Sequence, residues 1–186
     1  MQLEDCNLLI MENKIEKSKS LKENFLSKRK EILKSYFASD KNNEHHLENL
    51  GEINGVSFIN DSQSVDLDKT WYSLEKTDAP IIWIAGGVNK SNDYSILKGI
   101  VKEKIKIIVC LGSDDVNIVN GLHKDVQLII SAVNINDALQ TAVKFAAQGD
   151  VVLFSPACPS YDEFENYQDR GRAFKAEVEK LKWGGL

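Results

Sequence analysis

With 186 residues, 42% of them apolar, the chain can bury one core of ordinary domain size and still carry an extension. A formal net charge of −5 argues against nucleic acid as the main partner, and no apolar run approaches the roughly 20 residues that cross a bilayer. Three cysteines, Cys6, Cys110 and Cys158, form no paired framework, and the acidic start is no secretory leader, so a reducing, cytoplasmic setting is expected.

The charge is uneven. Residues 1–43 carry nine Lys/Arg against seven Asp/Glu, leaving fourteen against twenty-one for the remainder. From about Glu12 to Phe37 there is no Pro or Gly. Leu21, Phe25, Ile32, Leu33 and Tyr36 fall near helical spacing, which predicts an amphipathic helix. Lys28-Arg29-Lys30 reads as its solvated face, and the apolar stripe offers a contact for another protein. Ser39 to Glu44 is polar and reads as a linker.

From Leu50 the texture changes. Gly51 to Asn60 predicts two short strands about an Asn54-Gly55 turn. Apolar runs then alternate with helical patterns. Strands are predicted over Pro80–Ala85, Ile105–Leu111, Val126–Ser131 and Val151–Phe154. Helices are predicted over Tyr94–Lys104, Val116–Leu122 and Ile135–Ala147, the last ended by Gly149-Asp150. Asp162 to Leu181 predicts a closing helix, broken or kinked near Gly171. This alternation predicts an α/β, Rossmann-like fold: a mostly parallel sheet with helices on both faces. Ligands in such sheets bind beyond the carboxyl ends of the strands.

Three polar strand ends therefore carry the functional argument. Ser155-Pro156-Ala157-Cys158-Pro159-Ser160 is expected to turn from strand into helix, presenting N–H groups and hydroxyls to a carboxylate or phosphate. Gly86-Gly87-Val88-Asn89-Lys90-Ser91 is not a P-loop, because Ile84 and Asn89 stand where GxxxxGK[ST] needs Gly, but Lys90 offers a point charge to an anion. Asn60-Asp61-Ser62 taken alone reads as a hairpin exit with helix capping by Asp61, Ser64 or Asp66. Gly112-Ser113-Asp114 is an ordinary helix start. His45, His46 and His123 lack metal-ligand spacing with the cysteines, and Trp71 and Trp83 fit the core or a helix face.

Together these stretches resemble one family, the Mur ligases that add D-glutamate to UDP-N-acetylmuramoyl-L-alanine. The resemblance rests on Glu44-His-His-Leu-Glu48, Asn54 to Ser62 and Thr70-Trp71-Tyr72. It continues through Ile84 to Tyr94, Ser155 to Ser160 and Tyr167-Gln-Asp-Arg-Gly171. It covers about residues 44–181 and implies a C-terminal domain of that family over 44–186, after a helical extension and linker over 1–43. The family makes a peptidoglycan precursor: ATP phosphorylates a carboxylate and the D-glutamate amine attacks the acyl phosphate. Its C-terminal domain holds D-glutamate and closes over ATP, whose P-loop and metal ligands lie in another domain. By resemblance, Lys90 and Ser160 each take a substrate carboxylate, Tyr167 lines that pocket, and Asp61 with Asn60 faces the ATP side.

Three positions depart from the family's Asn-Asp-Ser-Lys-Ala-Thr-Asn signature: its Lys is Gln63, its Thr is Val65 and its Asn is Asp66. Each charged hydrogen bond left unmade costs about 1.5–3 kcal/mol. Two such losses weaken binding by roughly two to four decades. No P-loop occurs in the sequence, so the expectation is a D-glutamate-binding, ATP-closing domain without catalysis of its own, ATP and Mg entering only with other domains. The alternative is a free-standing, non-catalytic binding or regulatory module built on the same fold, docking through its N-terminal helix.

Overall fold

The computed structural model describes residues 14, 16–21, 24, 27–29, 31–32, 35, 44–78, 80–87, 92–112, 115–160 and 164–184. The chain divides into two compact units, Met1–Lys41 and Asn42–Leu186. In the first, the described residues are helical, with Leu21 64% and Ile32 68% exposed. Phe25, Leu33, Tyr36 and the linker residues 39–43 lie outside the described residues.

The second unit is built on six strands: β1 (Glu48–Ile53), β2 (Val56–Asn60), β3 (Ile81–Gly87), β4 (Ile105–Gly112), β5 (Ile129–Ala132) and β6 (Val151–Phe154). Their order is β1-β2-β6-β3-β4-β5. Only β1 runs antiparallel, joined to β2 by the predicted hairpin. Asn54 (φ 52°) and Gly55 (φ 79°) both sit at positive φ, the backbone a two-residue type I′ turn requires. The pairs β2–β6, β6–β3, β3–β4 and β4–β5 are all parallel, so all five carboxyl ends emerge at one edge.

Alternation along each strand builds two cores. Phe58, Ile82, Ile84, Val109, Val152 and Phe154 face one side. They are covered by α4 (Ile135–Phe145), through Ala138, Leu139 and Ala142, and by α5 (Tyr167–Gly184), through Phe174 and Val178. Ile81, Trp83, Ile108, Cys110 and Leu153 face the other side. There they meet α1 (Leu67–Lys76), a 3₁₀ turn over Tyr94–Leu97, α2 (Lys98–Lys104) and α3 (Asp115–Leu122). Each fully buried aliphatic or aromatic side chain contributes about 1.5–3 kcal/mol, which is why these faces, and not local propensity, set the fold.

Several boundaries move from their sequence expectations. The fourth parallel strand is Ile129–Ala132, later than Val126–Ser131, and α4 stops at Phe145 with Ala146 as its cap. The first half of the predicted Tyr94–Lys104 helix is a 3₁₀ turn. The closing helix starts at Tyr167, and Asp162 lies outside the described residues. It passes Gly171 without a break. Gly171 is required by close approach: a Cβ there would collide with the His45 ring and Ser62 Oγ.

Among the described residues, no helix is long and apolar enough to cross a membrane.

Candidate functional site

The three strand ends singled out in the sequence belong to β2, β6 and β3, which are direct neighbours in the sheet. The loops leaving them are stitched together by main-chain bonds. Asp61 N donates to Phe154 O (2.8 Å), Ser155 N to Ile84 O (3.1 Å), and Gly86 N to Pro156 O (2.8 Å). Ala157 N donates to Ser64 O (3.0 Å). Ser155 does not turn directly into a helix, as the sequence suggested. Residues 155–160 and 164–166 are not helical, and the start of α5 is capped by Asn166 Oδ1 accepting from Asp169 N (2.8 Å).

Asn60 and Asp61 are fully buried. Asp61 Oδ1 accepts from His46 Nδ1 (3.2 Å) and from Leu47 N (3.2 Å), and Oδ2 accepts from Ser155 Oγ (2.7 Å). Ser155 Oγ also lies 3.1 Å from Thr70 Oγ1 on α1. Asn60 Nδ2 donates to Glu48 Oε2 (2.9 Å) and lies 3.0 Å from His45 Nδ1. This network is satisfied by protein groups, so it fixes the positions of the loops. Asp61 caps no helix. That task falls to Asp66, whose Oδ1 accepts from Asp68 N (3.0 Å) and Lys69 N (2.9 Å) at the start of α1. Asp in place of the family's Asn is thus a conservative change locally, since both cap well and a carboxylate also suits the positive helix end. Gln63 and Val65 are half-buried beside it; Gln63 N donates to His45 O (2.9 Å).

Ser160 is buried, and its carbonyl accepts from Phe164 N (3.1 Å). Tyr167, the first residue of α5, is half-buried and meets the His45 ring edge-on, with centroids 6.1 Å apart. Burial holds the His45 imidazole below its ordinary pKa; Glu48 and Glu44 pull upward, while Lys175 and Arg172 push further down. Burial pushes Glu48 upward, but the Lys175 hydrogen bond, the His45 N–H and the Asn60 amide together leave it below its usual range. Lys175 is raised by that same hydrogen bond to Glu48. Lys90 lies outside the described residues, as do Val88, Asn89, Ser91, Ser113 and Asp114.

Two contributors were missed by sequence reasoning. Arg170 is 2% exposed. Its NH1 donates to Cys158 O (3.0 Å) and Pro159 O (3.1 Å), and its NH2 to Ser62 O (3.0 Å), locking α5 to two of the loops. Asn92 Nδ2 donates to Ala157 O (2.8 Å). Ala157 itself is buried at φ 62°, a left-handed conformation that costs a residue with a Cβ about 1–2 kcal/mol. Arg170 stood inside a quoted motif, but nothing local announces three carbonyls across the fold. Cys158 Sγ, 2.9 Å from Gly86 O, completes the weave. No group of His, Cys, Asp and Glu suited to a metal ion occurs among the described residues.

No family model matches the chain. It is 42% identical over 153 residues to the UDP-N-acetylmuramoylalanine–D-glutamate ligase of Christiangramia forsetii, covering 82% of this chain and 34% of that protein. It is 43% identical over 143 residues to the ligase of the same name from Cytophaga hutchinsonii, covering 77% and 32%. The Porphyromonas gingivalis counterpart is 37% identical over 151 residues, covering 81% and 34%. The chain therefore spans about a third of the length of the curated relatives it matches.

Proposed function

The chain belongs to the UDP-N-acetylmuramoylalanine–D-glutamate ligase family, of which it carries the C-terminal domain, and on that premise we propose that the loops after β2, β6 and β3 hold an acidic amino acid, D-glutamate, and close over ATP bound by other domains. The observation that supports this reading most is the adjacency of the carboxyl ends of β2, β6 and β3 at one sheet edge. Ser160 donates its hydroxyl to one carboxylate of the amino acid. Lys90, assigned from sequence alone, pairs with the other. Tyr167 lines the pocket and, at the first position of α5, has a main-chain N–H with no partner inside the helix. Asn60 and Asp61, being fully buried, serve the nucleotide side by holding the loop that reaches it.

The reaction served is amide formation: the amine attacks an activated carboxyl carbon, a C–N bond forms and phosphate leaves. This domain's share is to orient the amine and exclude water. ATP and its Mg²⁺ are assigned to other domains of the family, and no step through them rests on these residues. A cytoplasmic setting, a partner for the N-terminal helix and no role for nucleic acid complete the proposal.

A second reading, a binding or regulatory module without catalysis, is favoured by one observation: Gln63 and Val65, half-buried in the loop after β2, replace a cation and a hydroxyl. Calorimetry on the full chain with D-glutamate, ADP and UDP-muramoyl-alanine tests both. Heat with D-glutamate that Lys90→Ala abolishes supports the pocket; silence with all three ligands sinks it. Tighter D-glutamate binding by Gln63→Lys with Val65→Thr supports the second reading's account of weakened capture. Unchanged affinity removes that account.

A further inference from the structure

Resting on the reading of Ser160 as a carboxylate ligand, we infer that Asn92 is a positioning residue for it. Its side-chain amide, reaching over from the chain that follows β3, pins the left-handed peptide of Ala157 and so sets where Ser160 stands.

The argument starts from Ala157. A buried alanine at φ 62° is held against its own preference, so surrounding bonds must hold it there. Its N–H is taken by Ser64 O at 3.0 Å, from the loop after β2. Its carbonyl is taken by Asn92 Nδ2 at 2.8 Å, the one side-chain donor to this peptide among the bonds described. Both flanks are fixed differently: Pro156 O accepts from Gly86 N at 2.8 Å, and Cys158 O from Arg170 NH1 at 3.0 Å. Asn92 is itself half-buried and 3.4 Å from Tyr94 Oη, on the 3₁₀ turn whose Tyr94 and Leu97 are buried in the core. The amide thus stands two residues before this buried turn, touches its Tyr94 hydroxyl and reaches the strained peptide. Without it, Ala157 O loses its donor, the left-handed turn relaxes, and Ser160, three residues on and 3% exposed, shifts. A hydroxyl displaced from a carboxylate loses a directional bond.

A double-mutant cycle tests this in the full chain, with D-glutamate affinity by calorimetry and the thermal transition measured for each variant. Ser160→Ala and Asn92→Ala should each weaken D-glutamate by about tenfold. The double variant should be no weaker than Ser160→Ala alone, because Asn92 acts only through Ser160. Asn92→Asp, the same size without the donor, should match Asn92→Ala. Additive losses, an Asn92→Ala protein that binds like wild type, or an Asn92→Asp protein that binds like wild type would each overturn the inference and leave the pocket standing. If Ser160→Ala leaves D-glutamate binding unchanged, the assignment of Ser160 fails and the inference falls with it.

Discussion

Two cationic side chains in this domain each gather three main-chain carbonyls, and they do so at opposite ends of the sheet. Arg170, at the carboxyl edge, takes Cys158 O, Pro159 O and Ser62 O, groups as much as 108 positions away in sequence. Lys104, just before β4 at the amino edge, donates from Nζ to Leu74 O (3.2 Å), Glu75 O (2.7 Å) and Thr77 O (2.9 Å). The lysine closes one helix end, where the last carbonyls of α1 have no partner in the helix and the dipole favours a cation. The arginine joins three separate pieces of chain. Its planar fork, with five donors, can meet carbonyls lying in different directions; an ammonium is a compact point charge. The domain therefore spends its rigid cation on the proposed ligand loops and a flexible one on local capping.

Substitution at Arg170 should have the largest effect. Arg170→Met leaves three carbonyls without their donor in a buried setting and should lower stability by about 3 kcal/mol or more. Arg170→Lys should recover less than half of that, because one ammonium cannot span both loops. Urea midpoints measure both. Near-full recovery by lysine would erase the distinction between the two clamps. Lys104→Met should cost about 1–2 kcal/mol and leave D-glutamate binding untouched, while Lys104→Arg should be close to neutral. A Lys104 variant that lost ligand binding at unchanged stability would show that the two ends of the sheet are coupled.

The same contrast explains what could be read from the sequence. Apolar runs, the Asn54-Gly55 turn and the alternation of strands with helices are local signals, and the sheet follows them. So does the convergence of three polar strand ends, because parallel topology places carboxyl ends together. What escaped is what long-range bonding decides. Ser155 looked like the start of a helix N-terminus, yet its hydroxyl is consumed by Asp61, 94 positions away. Gly171 looked like a helix break, because glycine costs about 1 kcal/mol in a helix relative to Ala. It is tolerated because His45 and Ser62 leave no room for a Cβ. His45 and His46 entered as rejected metal ligands and as part of the Glu44–Glu48 stretch, and no local pattern shows that they anchor Asn60 and Asp61.

His45 gives the smallest expected effect and the sharpest test of the buried network beside Arg170. Its imidazole is held below the ordinary value of 6.5, chiefly by burial. The charged groups around it are Glu48 and Glu44, which favour protonation, and Lys175 and Arg172, which oppose it; the Tyr167 ring packs against its edge. Above pH 6.5 the group is neutral whether the chain is folded or not, and it contributes no slope. As pH falls below that value the unfolded chain takes up a proton that the folded chain resists, so stability drops until the folded-state pKa is passed. The slope can be no steeper than about 1.4 kcal/mol per pH unit for one proton. The pH dependence of the urea midpoint in wild type minus that in His45→Gln isolates the effect, and it should be positive only on the acid side. A difference that instead fell as pH rose would mean that the folded chain favours the imidazolium, with Glu48 and Glu44 outweighing burial.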